Sequence, residues 1–129
     1  MMNKNDLKER TKIFARKCIE LSLLLPNTYL GNHIKGQLIR SSTSVACNYR
    51  ATCLAQSRAS FISKISIVIE EADESEYWLE MIIDEKIIEI EKVALALKEA
   101  HELASIFIVS RKTASLNKES KSSLINKQS

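Results

Sequence analysis

Apolar side chains recur along this chain in an alternation of four and three residues, the spacing that keeps them on one side of an α-helix. In the first run, Leu7, Thr11, Phe14, Cys18, Leu21 and Leu25 fall on that side. Pro26 ends the run, since proline lacks an N–H and clashes with the preceding turn. Asp6 and Glu9 have the spacing of a capping box at its start. A second run follows the cap candidates Asn27 and Thr28 and carries Ile34, Leu38, Ser41, Val45, Asn48 and Thr52. The third begins near Ser57 and keeps Phe61, Ile65, Val68, Ala72, Ser75, Leu79 and Ile82 in register, a coiled-coil-like seam. The fourth, from about Lys86, offers Ile87, Ile90, Ala94, Leu97, His101, Ala104 and Ile108, with Val93, Leu103 and Phe107 widening the stripe. After Arg111 the pattern fades into Ser-, Lys- and Asn-rich sequence. Residues 1–112 are therefore expected to form the folded domain and residues 113–129 a disordered tail.

Four amphipathic helices joined by short connections pack most simply as an antiparallel, up-down-up-down four-helix bundle. The weakest boundary is the third connection, where only the polar Asp84, Glu85 and Lys86 mark a turn and neither Gly nor Pro is present. Composition supports the all-α reading, because two Gly and one Pro in 129 residues leave little turn chemistry. That length can bury a core without disulfides or metal. Three Cys (Cys18, Cys47, Cys53) cannot all pair with one another and form no C-x-x-C, as expected of thiols used as small apolar residues in a reducing cytoplasm. The first residues lack an apolar signal region, and no stretch approaches the length of a membrane span.

Charge is unevenly placed. Residues 26–56 hold three cations and no acid, whereas residues 57–85 hold two cations against eight acids. In the third helix Glu70, Glu71, Asp73, Glu74, Glu76, Glu80 and Asp84 form six like-charge neighbours one turn apart, with no Lys or Arg between Lys64 and Lys86. At about 0.2–0.5 kcal/mol per pair the repulsion is on the order of 1–3 kcal/mol, and relief must come from outside that helix. The acid-free second helix, with Lys35, Arg40 and Arg50, is the natural donor. Pairing of Arg50 with Glu70, Glu71 or Glu74 is expected, within the chain or between copies. Arg58 opposes the helix dipole in a first turn, which points to a carboxylate or phosphate partner. Ser41 and Asn48 lie on the apolar seam, where a polar residue fixes register.

Candidate chemistry is sparse. A di-iron bundle needs Glu-x-x-His on two helices, and His101 is preceded three residues earlier by Lys98. No Gly-rich phosphate loop, nucleophile elbow or zinc-ligand spacing occurs, so no catalytic residue, metal or cofactor is expected. One basic strip stands out: Lys4, Lys8, Lys12 and Arg16 recur every four residues along the first helix, the candidate contact for RNA or DNA phosphates. The alternative is a protein-interaction scaffold that docks an enzyme partner without touching nucleic acid.

The string SVACNYRATCLAQSRASFISKISIVIEEADESEYWLEM resembles the four-helix bundle proteins of the 23S rRNA intervening sequence family. Ser44, Val45, Asn48, Tyr49, Arg50, Ala51, Ser57, Arg58, Phe61, Lys64, Glu70, Glu71, Ala72, Asp73, Glu74, Trp78, Leu79 and Glu80 carry the likeness. Cys47 stands where Ala is usual, and Ser60 where an acid often precedes the Phe. The resemblance implies a homo-oligomer, specifically a pentameric ring, and a kinship with nucleic-acid-binding accessory proteins of diversity-generating retroelements. It names no reaction. Asn48, Arg50, Arg58, Glu70, Glu71 and Glu74 are accordingly read as structural and assembly residues.

Overall fold

The computed structural model of the chain describes residues 2–128, with side chains as far as residue 117. Its elements are α1 (Lys4–Ser22), α2 (Tyr29–Thr52), α3 (Arg58–Asp84) and α4 (Ile90–Gln128). Corners too short to carry the chain back along the bundle to the far end make each helix antiparallel to the one before it, and the result is an all-α, up-down-up-down bundle. Arg40 of α2 lies against Glu71 and Glu74 of α3, while Ser66 and Glu76 of α3 face Arg111 and His101 of α4. One end of the bundle thus gathers the start of α1, the end of α2, the start of α3 and the later part of α4.

Side chains cap the first three helices. Asn3 caps α1, with Asp6 N–H donating to Asn3 Oδ1 at 2.9 Å and Asn3 N–H to Asp6 Oδ2 at 3.0 Å. The capping box therefore starts three residues before the Asp6–Glu9 pair favoured by the sequence, with Asp6 as its acidic member. Thr28 Oγ1 accepts from Gly31 N–H, and Ser57 Oγ from Ser60 N–H, each at 3.0 Å. At the end of α3, Ile87 N–H reaches Ile82 C=O and Lys86 N–H reaches Ile83 C=O, the double bond pattern of a Schellman motif. Lys86 takes the left-handed position at φ 55°, where glycine is usual. This closure fills residues 85–89, so α4 begins at Ile90 rather than near Lys86.

The core follows the sequence stripes of α1 and α3 closely, except that Phe61 is half-buried. In α2, Asn48 is half-buried and Tyr49 takes the interior place, its ring stacked on Phe107 with centroids 5.0 Å apart. Helix α4 differs more. Its buried face is Val93, Ala96, Ala100, Leu103, Ala104 and Phe107, whereas Ile90, Ala94, His101 and Ile108 are exposed. Of the expected stripe Val93, Leu103, Ala104 and Phe107 do face the core, while the row Ile90, Ala94, Leu97, His101 and Ile108 lies about one residue step around the helix from the buried one. Apolar residues cover more than half the circumference of α4, and spacing alone does not choose between two such flanks. Beyond residue 112, α4 continues as helix to Gln128, across residues where the sequence predicts a disordered tail. Residues 113–128 contain neither Gly nor Pro to break the helix where its apolar stripe fades.

Two buried hydroxyls cross the α2–α3 seam. Ser75 Oγ lies 3.0 Å from Ser41 Oγ and 2.9 Å from the Glu71 carbonyl oxygen, while Ser41 Oγ has only a 3.4 Å contact to Leu38 C=O. Ser41 is thus the polar seam residue that bridges helices. Asn48 instead donates from its amide to the carbonyl oxygen and Oγ of Ser44, on its own helix.

Candidate nucleic-acid interface

Residues four apart on an α-helix stay within one flank, so Lys8, Lys12 and Arg16 point from α1 in nearly the same direction. They line a groove between α1 and α2 with a volume of about 600 Å³. The opposite wall comes from Thr43, Ala46, Cys47 and Arg50, at positions i, i+3, i+4 and i+7 of α2. Three small side chains hold that wall back and make the groove; Arg50 is the one long group on it. Ala15 and Ile19 give it an apolar floor, and Glu9 is its single acid. Four cations against one carboxylate leave a concave positive surface. Among the described residues none of the four is in an ion pair. Lys4 lies on the exposed first turn, outside the groove lining.

Within the chain Arg50 does not meet the α3 carboxylates. Arg40 does, bridging Glu71 at 3.3 Å and Glu74 in a closer contact. Arg40 and Arg50 are both on the acid-free helix, but ten positions is nearly three helical turns and rotates Arg50 away toward α1. His101 Nδ1 sits 3.1 Å from Glu76, and Glu70 is exposed. Arg58 is half-buried in the first turn of α3 and has no carboxylate partner among the described residues. Between α1 and α4, Arg10 grips Glu99 with two donors at 2.7 and 2.6 Å and reaches Glu102 at 2.8 Å. The hydrogen bond to Glu99, ahead of the charges of both acids, raises the Arg10 pKa further above its ordinary value, against the opposing effect of burial.

The sequence reading found three of the four groove cations and placed the fourth elsewhere. The missed signal was the small-residue spacing of Thr43, Ala46 and Cys47, which marks a flank of α2 that leaves space beside it. The groove can attract phosphates along its four cations. Among the described residues no cluster of His, Cys, Asp or Glu suits a metal ion, and no helix is long and apolar enough to cross a membrane.

Comparison with known proteins bears on the fold and the family. No curated protein matches the chain. A solved structure described as a protein of unknown function from the S23 ribosomal protein family of Bacteroides thetaiotaomicron VPI-5482 is 34% identical, with a TM-score of 0.76 over 82% of this chain and 98% of that one. The sequence profile for the 23S rRNA-intervening sequence protein matches residues 3–108, which span all the described core from Leu7 to Phe107. The chain belongs to the 23S rRNA-intervening sequence protein family.

Proposed function

We propose that this chain is a non-enzymatic nucleic-acid-binding module that acts as a cytoplasmic homo-oligomer, a pentameric ring by family resemblance. One observation carries the reading: Lys8, Lys12, Arg16 and Arg50, from two helices, line a single groove. Cations arranged this way bind the phosphate backbone by counterion release, without sequence information. A single groove is a weak site. Repeated around a ring of subunits it becomes a multivalent one, because each bound segment raises the effective concentration of the next. Free thiols at Cys18, Cys47 and Cys53 suit the reducing interior this reading requires. Docking of an enzyme partner is the second reading, and it is favoured by the exposed apolar flank of α4 at Ile90, Ala94, Leu97 and Ile108, where Leu97 is half-buried.

The test is fluorescence anisotropy with RNA and DNA oligonucleotides across a salt series. Each engaged groove should give a log K against log salt slope of about −2.8 to −3.6, from about 0.7–0.9 per cation. The double variant Lys8→Gln/Lys12→Gln should reduce its magnitude by about 1.4–1.8. Bound nucleic acid should also protect Cys47, on the groove wall, from alkylation. Undetectable binding at low salt, or binding that the double variant leaves unaltered, rejects the reading and favours the partner-docking alternative.

A further inference from the structure

A second cavity, of about 620 Å³, lies at the corner between α2 and α3, where α4 passes over the start of α3. Gln56, Ser57, Arg58 and Phe61 line it from the corner, and Thr113 and Asn117 from α4. Among the described residues Arg58 is the one charged group on its wall, and none of the described carboxylates lines it. The cavity is wide open to solvent, a surface depression rather than an enclosed pocket.

Two side chains give the cavity a chemical character. Arg58 stands in the first turn of α3, where the helix field disfavours a cation, and no described carboxylate compensates it. A guanidinium in that position can receive an anion, and its planar fork matches phosphate. Phe61 is partly buried against the core and borders the same cavity. Around them the described wall is uncharged and mixed, with hydroxyls from Ser57 and Thr113 and amides from Gln56 and Asn117 set among the apolar Ala55, Val109 and Ala114. Phosphate, a planar ring and neutral hydrogen-bonding groups together describe one ligand class.

We propose that the α2–α3 corner cavity is a nucleotide site, in which Arg58 holds the phosphate and Phe61 supports the base. It goes beyond the groove reading and stands apart from it, since none of Lys8, Lys12, Arg16 or Arg50 lines this cavity. The nucleotide can be free or can be the 5′ end of a strand; the recognised chemistry is the same.

The experiment is an NMR titration of the full chain with AMP, ribose 5-phosphate and a 5′-phosphorylated oligonucleotide. Saturable shifts are expected at residues 55–61 and 109–117. Arg58→Gln should weaken AMP by about tenfold or more, the loss of a charge-assisted contact. Phe61→Leu should abolish the preference for AMP over ribose 5-phosphate, while Lys8→Gln/Lys12→Gln leaves AMP binding intact. Saturation by AMP supports a free nucleotide, and saturation at the same residues by the oligonucleotide alone supports a strand end. No saturable shift with either at millimolar concentration overturns the proposal, and so does AMP binding that Arg58→Gln leaves unchanged.

Discussion

Burial sets the chemistry of individual side chains here, and the three thiols show how far. Cys47 is exposed in the basic groove, Cys53 is half-buried, and Cys18 is fully buried. Burial pushes the Cys18 thiol up to about 12, with a hydrogen bond to Ser42 acting in the opposite direction. An unfolded thiol ionises near pH 8.5, so above that pH the unfolded chain gives up a proton that the native state keeps. The contribution is complete below about pH 8.5 and is lost as pH rises, by up to about 1.4 kcal/mol per unit until the native thiol also ionises. Tyr49, raised mainly by burial and then by its contact with Cys53, adds the same sign at higher pH. Urea unfolding at pH 8 and pH 10 should therefore show a loss of about 2 kcal/mol, smaller in Cys18→Val. An identical loss in that variant would remove Cys18 as its source. The buried serines yield an asymmetric expectation. Ser41→Ala leaves Ser75 bonded to the Glu71 carbonyl at 2.9 Å, whereas Ser75→Ala leaves Ser41 only its 3.4 Å contact. Ser75→Ala should cost more, by about 1 kcal/mol, and the double variant should cost less than the sum. Equal single costs that add would mean the hydroxyls do not interact.

At the scale of helices, local chemistry decides where elements begin and end, and tertiary packing decides which face turns inward. Two glycines of α2 separate these effects. A Cβ at Gly31 would lie 2.2 Å from the Pro26 carbonyl oxygen, a backbone atom that cannot move without opening the α1–α2 corner, whereas a Cβ at Gly36 meets nothing within 4 Å. Gly31→Ala should destabilise by about 1–3 kcal/mol, and Gly36→Ala should stabilise by about 0.5–1 kcal/mol through helix propensity alone. Thermal unfolding of the two variants reads both signs, and a stabilising Gly31→Ala would mean the corner is looser than it looks. Caps and breakers such as Thr28, Ser57 and Pro26 were legible because each acts on its immediate neighbours. The seams of α1 and α3 were legible because each helix has one apolar flank. Helix α4 has two, and Ala96 and Ala100, small enough to face the crowded interior, read as weaker signals than Ile90 and Leu97. Arg50 was not legible as a groove residue for a related reason: net charge per helix says that α2 is basic but not which way each cation turns.

Over the whole molecule the charges are separated rather than neutralised. Arg40 and His101 meet three of the acids of α3, while Glu70, Asp73, Glu80 and Asp84 are exposed without a partner among the described residues. The cations that could have answered them line the groove on the α1 side of α2. One chain thus presents an acidic face, a basic groove and, on α4, an apolar flank whose Ile90 and Ile108 are 54% and 44% exposed. Isolated apolar residues on a surface mean little, but a stripe one helix flank wide that the core does not use needs covering. In the proposed homo-oligomer a second copy would supply both an apolar surface to cover it and charges of the opposite sign to complement each exposed face. Native mass measurement should accordingly give a homo-oligomer, and Ile90→Lys/Ile108→Lys should convert it to monomers with unchanged helical circular dichroism, since neither residue contributes to the core. A wild-type monomer at micromolar concentration would defeat the assembly. Nucleic-acid affinity then discriminates further: if grooves act as a set, the dissociated variant should lose far more affinity than Lys8→Gln alone, although none of its groove cations has changed.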